Sequence, residues 1–132
     1  MARILVIDDD PLVRFTLRQV LGRQVPGQPT HTIVEAANAD AGIAAAQDSA
    51  FDLTLIDMIM PSRSGLDAVP AIRAHRPEIL VIAMSGGTRT DNGSMLAAAE
   101  RLGVEAVLRK PFTAREVRAV VDRVLAGPAL PA

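Results

Sequence analysis

The sequence predicts an α/β domain built on a doubly wound parallel sheet, and three observations carry that prediction. Apolar runs of strand length recur along the 132 residues, at 4–7 (ILVI), 32–36 (TIVEA), 53–56 (LTLI), 79–84 (ILVIAM) and 104–108 (VEAVL). The stretches between them are long enough for helices and carry apolar residues at helical spacing. The runs at 4–7, 53–56 and 79–84 are nearly continuously apolar, as strands covered on both faces must be. Strands alternating with helices in this way form a parallel sheet with helices on both sides.

Each element has a local reason. The first strand runs into Asp8, Asp9 and Asp10, and Asp10 is followed by Pro11. An aspartate N-cap before a first-turn proline starts a helix, which continues to Leu21 with Val13, Leu17, Val20 and Leu21 on one face. Gly22 to Thr30 holds two prolines and two glycines and reads as a loop. The second strand is followed by an alanine-rich helix from Asn38 to Gln47, and the third by a helix from Leu66 to His75. A fourth helix is expected from Met95 to Leu102. The fifth runs from Thr113 to Leu125, with Val117, Val120, Val121, Val124 and Leu125 facing the core. Thr113 and Glu116 form the T-x-x-E capping box at its start. The reading is one domain over residues 1–126 and a tail over 127–132 (GPALPA).

Composition narrows the function. Hydrophobic residues are 49% and charged residues 22% of the chain, the balance of a globular domain. The net charge of −1 gives no general attraction to nucleic acid or to anionic membranes. Absence of cysteine excludes disulfides, thiolate metal sites and thiol catalysis. The amino terminus has the pattern of neither a signal peptide nor a membrane span, so a cytoplasmic location is expected. Of the 14 basic residues, all but Lys110 are arginine. That exception points to a need for a compact ammonium on a flexible stem at position 110.

In doubly wound sheets, ligands bind outside the carboxyl ends of the strands. The first run ends in Asp8-Asp9, the third in Asp57, the fourth in Ser85-Gly86-Gly87 and the fifth in Arg109-Lys110-Pro111. Asp10 is accounted for as a helix cap. Three carboxylates, a hydroxyl and the sole lysine therefore gather on one edge. Adjacent carboxylates at the end of a buried run repel and are costly to desolvate. A hard cation with oxygen ligands, most simply Mg²⁺, neutralises them. The lysine and hydroxyl suit phosphoryl oxygens, and a carboxylate can itself accept a phosphoryl group.

With these residues in place, the chain resembles the receiver domains of two-component response regulators. The resemblance runs from about Arg3 to Leu125 through ILVIDDDP, EAAN, DLTLIDMIMPSRSGLD, VIAMSGG and LRKPF. It implies a flavodoxin-like sheet of order 2-1-3-4-5 with five helices. It also implies that Asp57 accepts a phosphoryl group from a sensor histidine kinase or phosphotransfer protein. Asp8, Asp9 and Asp57 would hold Mg²⁺ together with the backbone carbonyl of Ile59, Asp9 more directly than Asp8. Ser85 would be the switch hydroxyl, Lys110 the phosphoryl partner, and the bond before Pro111 cis. Pro61 and Gly65 match the family's turn residues after the phosphoacceptor. On this reading the domain is a signalling switch acting on a downstream protein target. It assists its own phosphorylation and dephosphorylation and is not otherwise an enzyme.

Three departures from the family pattern bear on output. Val107 stands where the family usually has an aromatic ring, and the chain has no tyrosine. The segment after Ser85, GGTRTDNGS, is long, and Gly86 and Gly87 leave the phosphate side open. The expected switch element is therefore the loop from Gly86 to Ser94. No output domain is read after Leu125, so the chain is expected to be a stand-alone receiver or a piece of a longer regulator.

Other residues carry plainer readings. His31 and His75 are isolated, with His75 on a solvated helix face, and Arg109 faces solvent. Met58, Ile59 and Met60 are expected to pack in their loop. Two rival functions remain. A Mg²⁺-dependent phosphohydrolase would want a second aspartate where Ile59 stands, and a phosphate-independent interaction module would not need the full set of strand-end groups.

Overall fold

The computed structural model describes residues 1–61, 63–86 and 94–127. Ten elements alternate: β1 (Arg3–Ile7), α1 (Pro11–Leu21), β2 (Thr32–Ala36), α2 (Ala39–Asp48), β3 (Leu53–Asp57), α3 (Gly65–His75), β4 (Leu80–Ser85), α4 (Ser94–Arg101), β5 (Ala106–Arg109) and α5 (Ala114–Ala126). The strands form one parallel sheet of order β2-β1-β3-β4-β5. The doubly wound class and its strand order are thus as expected.

Strand alternation splits the core into two layers. Ile4 and Val6 of β1 face Leu17 and Leu21 of α1 and Val117, Val121 and Val124 of α5. Leu5 and Ile7 face the other way, toward Ala39 and Ala46 of α2 and Ala68, Val69 and Ile72 of α3. β3 lies at the centre of the order and is buried along its whole length, which explains why its run is apolar up to Asp57 except for Thr54, whose hydroxyl donates to the Leu5 carbonyl at 2.9 Å.

The caps read from sequence are present. The Asp10 side chain accepts from the Leu12 amide at 2.9 Å, with Pro11 opening α1. Thr113 and Glu116 form both bonds of the capping box on α5. Several boundaries shift by a residue or two. The fifth strand starts at Ala106, not Val104, because the turn after α4 extends further. Gly103 adopts φ +72, a left-handed angle suited to glycine, and the Val104 amide still bonds back to Ala99. Among the described residues, no helix is long and apolar enough to cross a membrane. The expected switch loop lies outside the described residues over 87–93, as does the tail over 128–132.

Candidate functional site

The carboxyl ends of β1, β3, β4 and β5 deliver the site. Asp8 follows β1 directly, and its amide bonds the Ala36 carbonyl at 3.2 Å. Asp57 is the last residue of β3, and Ser85 the last of β4. The ladder runs on past Asp57, with the Met58 amide donating to the Met84 carbonyl at 3.0 Å. Lys110 follows β5, and its amide donates to the Ser85 carbonyl at 2.8 Å. The Lys110–Pro111 peptide bond is cis.

The side chains converge. Asp8, Asp9 and Asp57 each offer a carboxylate oxygen within 4.8 Å of the others. Asp8 and Asp57 are buried, and Asp9 is exposed. The Lys110 ammonium lies 2.6 Å from Oδ2 of Asp8 and 3.2 Å from Oδ2 of Asp57. Oδ1 of Asp8 accepts from the Asp10 amide at 2.9 Å, and Oδ1 of Asp57 accepts from the Ile59 amide at 3.2 Å. Ser85 is buried at the same edge. Val107 of β5 pairs in register with Ala83 of β4 and packs partly buried on the α2–α3 side of the sheet.

The electrostatics follow from burial. Asp57 has its pKa raised, first by desolvation and then by the Asp8 charge. The Ile59 amide and Lys110 oppose that rise without cancelling it. Burial alone would lower the Lys110 pKa. The Asp8 hydrogen bond and the charges of Asp57 and Asp8 outweigh it and raise the pKa, so the ammonium is held protonated. One lysine thus faces three carboxylates. A divalent cation with oxygen ligands fits this donor set, since it supplies the missing charge and accepts carboxylates and water together.

Gly65 sets the loop after Asp57. Its amide bonds the Met58 carbonyl at 3.1 Å. A Cβ there would lie 2.6 Å from the Asp57 carbonyl oxygen and 2.7 Å from Met58 Cε. Only glycine lets α3 begin against the strand that carries Asp57.

Two expectations need correction. Met58 and Met60 are buried, but the Ile59 side chain is 52% exposed and does not pack in its loop. β3 ends at Asp57 and the chain bends at Met58, with the Ile59 amide turned back to Asp57 Oδ1 and its side chain outward. His31 is not isolated: it is buried, and its Nδ1 accepts from the Ala2 amide at 3.0 Å. The loop before β2 returns His31 beside the start of β1, where Thr32 bonds the Ala2 carbonyl. His75 is exposed, as expected, and meets Gln47 at 2.9 Å. Arg109 is exposed.

Sequence reasoning missed Arg14. Its Nη1 donates to the Asp8 carbonyl at 2.7 Å, and its Nε lies 3.2 Å from Glu35 of β2. The signal in the sequence was no more than the spacing of Arg14 and Arg18 on one face of α1, which does not name their partners. A groove of about 970 Å³ opens elsewhere, beside His31, Phe51, Pro77 and Leu125 near the amino ends of the strands. Convergent charge, not cavity size, marks the carboxyl edge.

Fold and site together define a class: a doubly wound domain with buried carboxylates and one lysine at the carboxyl edge of its sheet. The family model for the response regulator receiver domain matches residues 4–122, and the chain belongs to that family, the receiver domains of two-component signal transduction. It is 36% identical over 124 residues to the DNA-binding transcriptional regulator NtrC of Azospirillum brasilense, covering 94% of this chain and 24% of that protein. It is 30% identical over 129 residues to Protein PilH of Pseudomonas aeruginosa, covering 96% of this chain and 100% of that protein. The chain spans about a quarter of the length of the NtrC relatives it matches. A CheY-like response regulator receiver domain protein from Methanospirillum hungatei JF-1 shares the fold. Its TM-score is 0.81 at 24% identity, over 96% of this chain and 94% of that one.

Proposed function

We propose that this domain is a phosphorylation-activated switch whose phosphoacceptor is Asp57. The observation that carries the reading is the shared lysine: Lys110 bridges the buried Asp8 and Asp57 carboxylates, with Asp9 beside them. A nucleophilic carboxylate needs a held acceptor oxygen and nearby positive charge for the transferred group. Asp57 meets the first condition through the Ile59 amide and the second through Lys110.

In the proposed reaction an Oδ of ionised Asp57 attacks phosphorus. The P–N bond to the donor histidine breaks as the O–P bond forms. The leaving imidazole keeps the electron pair and is neutralised by a proton. Lys110 then moves its bonding from carboxylate to phosphoryl oxygens, and Ser85 meets another. Asp8, Asp9, Asp57 and the Ile59 carbonyl would hold Mg²⁺, which when bound supplies charge stabilisation for the transferred oxygens.

The donor we infer is a sensor histidine kinase or phosphotransfer protein in the cytoplasm, and the output a downstream protein target. Leu12 and Phe15 on the first two turns of α1, and Ile59 after Asp57, are exposed apolar residues. Their position beside the carboxylates supports a protein donor rather than a small phosphodonor alone. Val107 is stiff at χ1 and has no ring to rotate, so output does not depend on an aromatic there. Transfer from phosphorylated kinases to wild type and Phe15→Ala tests the donor. The variant should accept more slowly from a kinase and normally from acetyl phosphate. Equal rates from the kinase would remove α1 from the docking face.

A further inference from the structure

The Asp8 backbone is held more tightly than its neighbour. Its amide bonds Ala36, Oδ1 takes the Asp10 amide and Oδ2 takes Lys110. Its carbonyl takes Nη1 of Arg14 at 2.7 Å. That carbonyl belongs to the peptide unit joining Asp8 to Asp9. Asp9 is the exposed carboxylate of the cluster, and its side chain accepts no hydrogen bond from any described residue. The direction of Asp9 is therefore set by its backbone, and the Asp8–Asp9 peptide plane is the part of that backbone a side chain grips.

The grip is itself braced. Arg14 sits one turn into α1, its guanidinium spanning from Asp8 to Oε1 of Glu35 at 3.2 Å. Oε2 of Glu35 is occupied by Nε of Arg18 at 2.6 Å. Glu35 stands on β2 in register with Val6 of β1. A guanidinium offers several donors in a fixed plane, so one side chain can serve a carbonyl and a carboxylate at once.

We infer that Arg14 is a positioning residue: it fixes the Asp8–Asp9 peptide so that Asp9 points into the carboxylate cluster ready for a cation. The inference rests on the metal role proposed for Asp8, Asp9 and Asp57. Groups that orient metal ligands commonly change affinity by roughly ten- to a hundredfold when removed. Arg18 shares Glu35 but makes no contact with Asp8, so it separates bracing of α1 from positioning of the ligand.

The test is a Mg²⁺ titration followed by amide NMR shifts of the site, with melting temperature measured without Mg²⁺. Arg14→Ala should weaken Mg²⁺ binding about tenfold or more, whereas Arg18→Ala should lower the melting temperature and keep the wild-type Kd. Arg14→Lys keeps the charge and one of the two bonds. It should fold like wild type and still bind Mg²⁺ several-fold more weakly, which guards against a misfolded alanine variant. Wild-type Kd in both Arg14 variants would overturn the inference and leave the cation site standing. A wild-type protein that ignores millimolar Mg²⁺ would overturn the metal reading itself, and the role of Arg14 with it.

Discussion

The Lys110 ammonium lies closer to Asp8 than to Asp57, 2.6 Å against 3.2 Å. Asp57 is thus the more loosely held of the two carboxylates. Asp8 has both oxygens engaged, one by Lys110 and one by the Asp10 amide. Among the described residues, Lys110 is the side-chain cation that pairs with the Asp8 and Asp57 carboxylates; within the cluster Arg14 reaches only the Asp8 carbonyl. Lys110→Ala should cost about 1–3 kcal/mol without divalent metal. Mg²⁺ at a hundredfold excess over Kd should return about 2.7 kcal/mol. Chemical denaturation with and without Mg²⁺ measures both. An equal loss in the two conditions would mean that lysine and cation do not share the same charge.

Asp57 predicts an opposite effect. Its pKa is raised in the folded protein, chiefly by burial and then by Asp8. The folded state therefore holds the Asp57 proton more tightly than the unfolded chain. The favourable contribution is present at acid pH and is lost as pH rises through the folded pKa. At neutral pH the ionised carboxylate opposes folding. Asp57→Asn should raise the melting temperature of metal-free protein at pH 7 and shrink the Mg²⁺-induced rise. A lower melting temperature at pH 7 would show that Lys110 outweighs burial at this site.

Gly65→Ala should disturb Asp57 without touching its carboxylate. The added Cβ meets the Asp57 carbonyl oxygen at 2.6 Å, and backbone cannot swing aside as a side-chain tip can. Overpacking of this kind costs about 1–3 kcal/mol. Labelling by acetyl phosphate should slow as well. Normal stability and labelling would show that α3 can retreat freely.

His31 makes stability depend on pH. Its pKa lies below the ordinary 6.5, first through burial and then through the amino-terminal charge, with Asp122 opposing. The neutral ring accepts the Ala2 amide, and protonation removes that acceptor. The unfolded chain takes up a proton near 6.5, whereas the folded chain does so only at lower pH. Stability should therefore be full above about 6.5 and fall as pH drops below it. Denaturation midpoints at pH 7.5 and 5.5 test this, and His31→Gln should flatten the difference. A slope that persists unchanged in the variant would assign it to other groups.

The sheet was legible because its central strands are nearly continuously apolar, and a parallel sheet brings their carboxyl ends to one edge. Asp8, Asp57, Ser85 and Lys110 could be placed there from strand ends alone. The caps of α1 and α5 were legible because Asp10-Pro11 and Thr113-x-x-Glu116 act within one turn. The strand order came from the family resemblance, since periodicity does not say which strands are neighbours. Arg14 was hidden for a different reason: its target is a backbone carbonyl, which every residue has. The burial of His31 depends on how a proline- and glycine-rich loop returns to β1. The outward turn of Ile59 depends on the bend after β3, where the Ile59 amide returns to the Asp57 carboxylate.

The central claim is that Asp57 is the phosphoacceptor, and intact-mass spectrometry after incubation with acetyl phosphate and Mg²⁺ tests it most directly. Wild type should gain the mass of one phosphoryl group, and fragmentation should place it on Asp57. Omission of Mg²⁺ should suppress the adduct, and Asp57→Asn should abolish it. An adduct of equal yield on the Asp57→Asn protein, or none on wild type with Mg²⁺ present, would contradict the account.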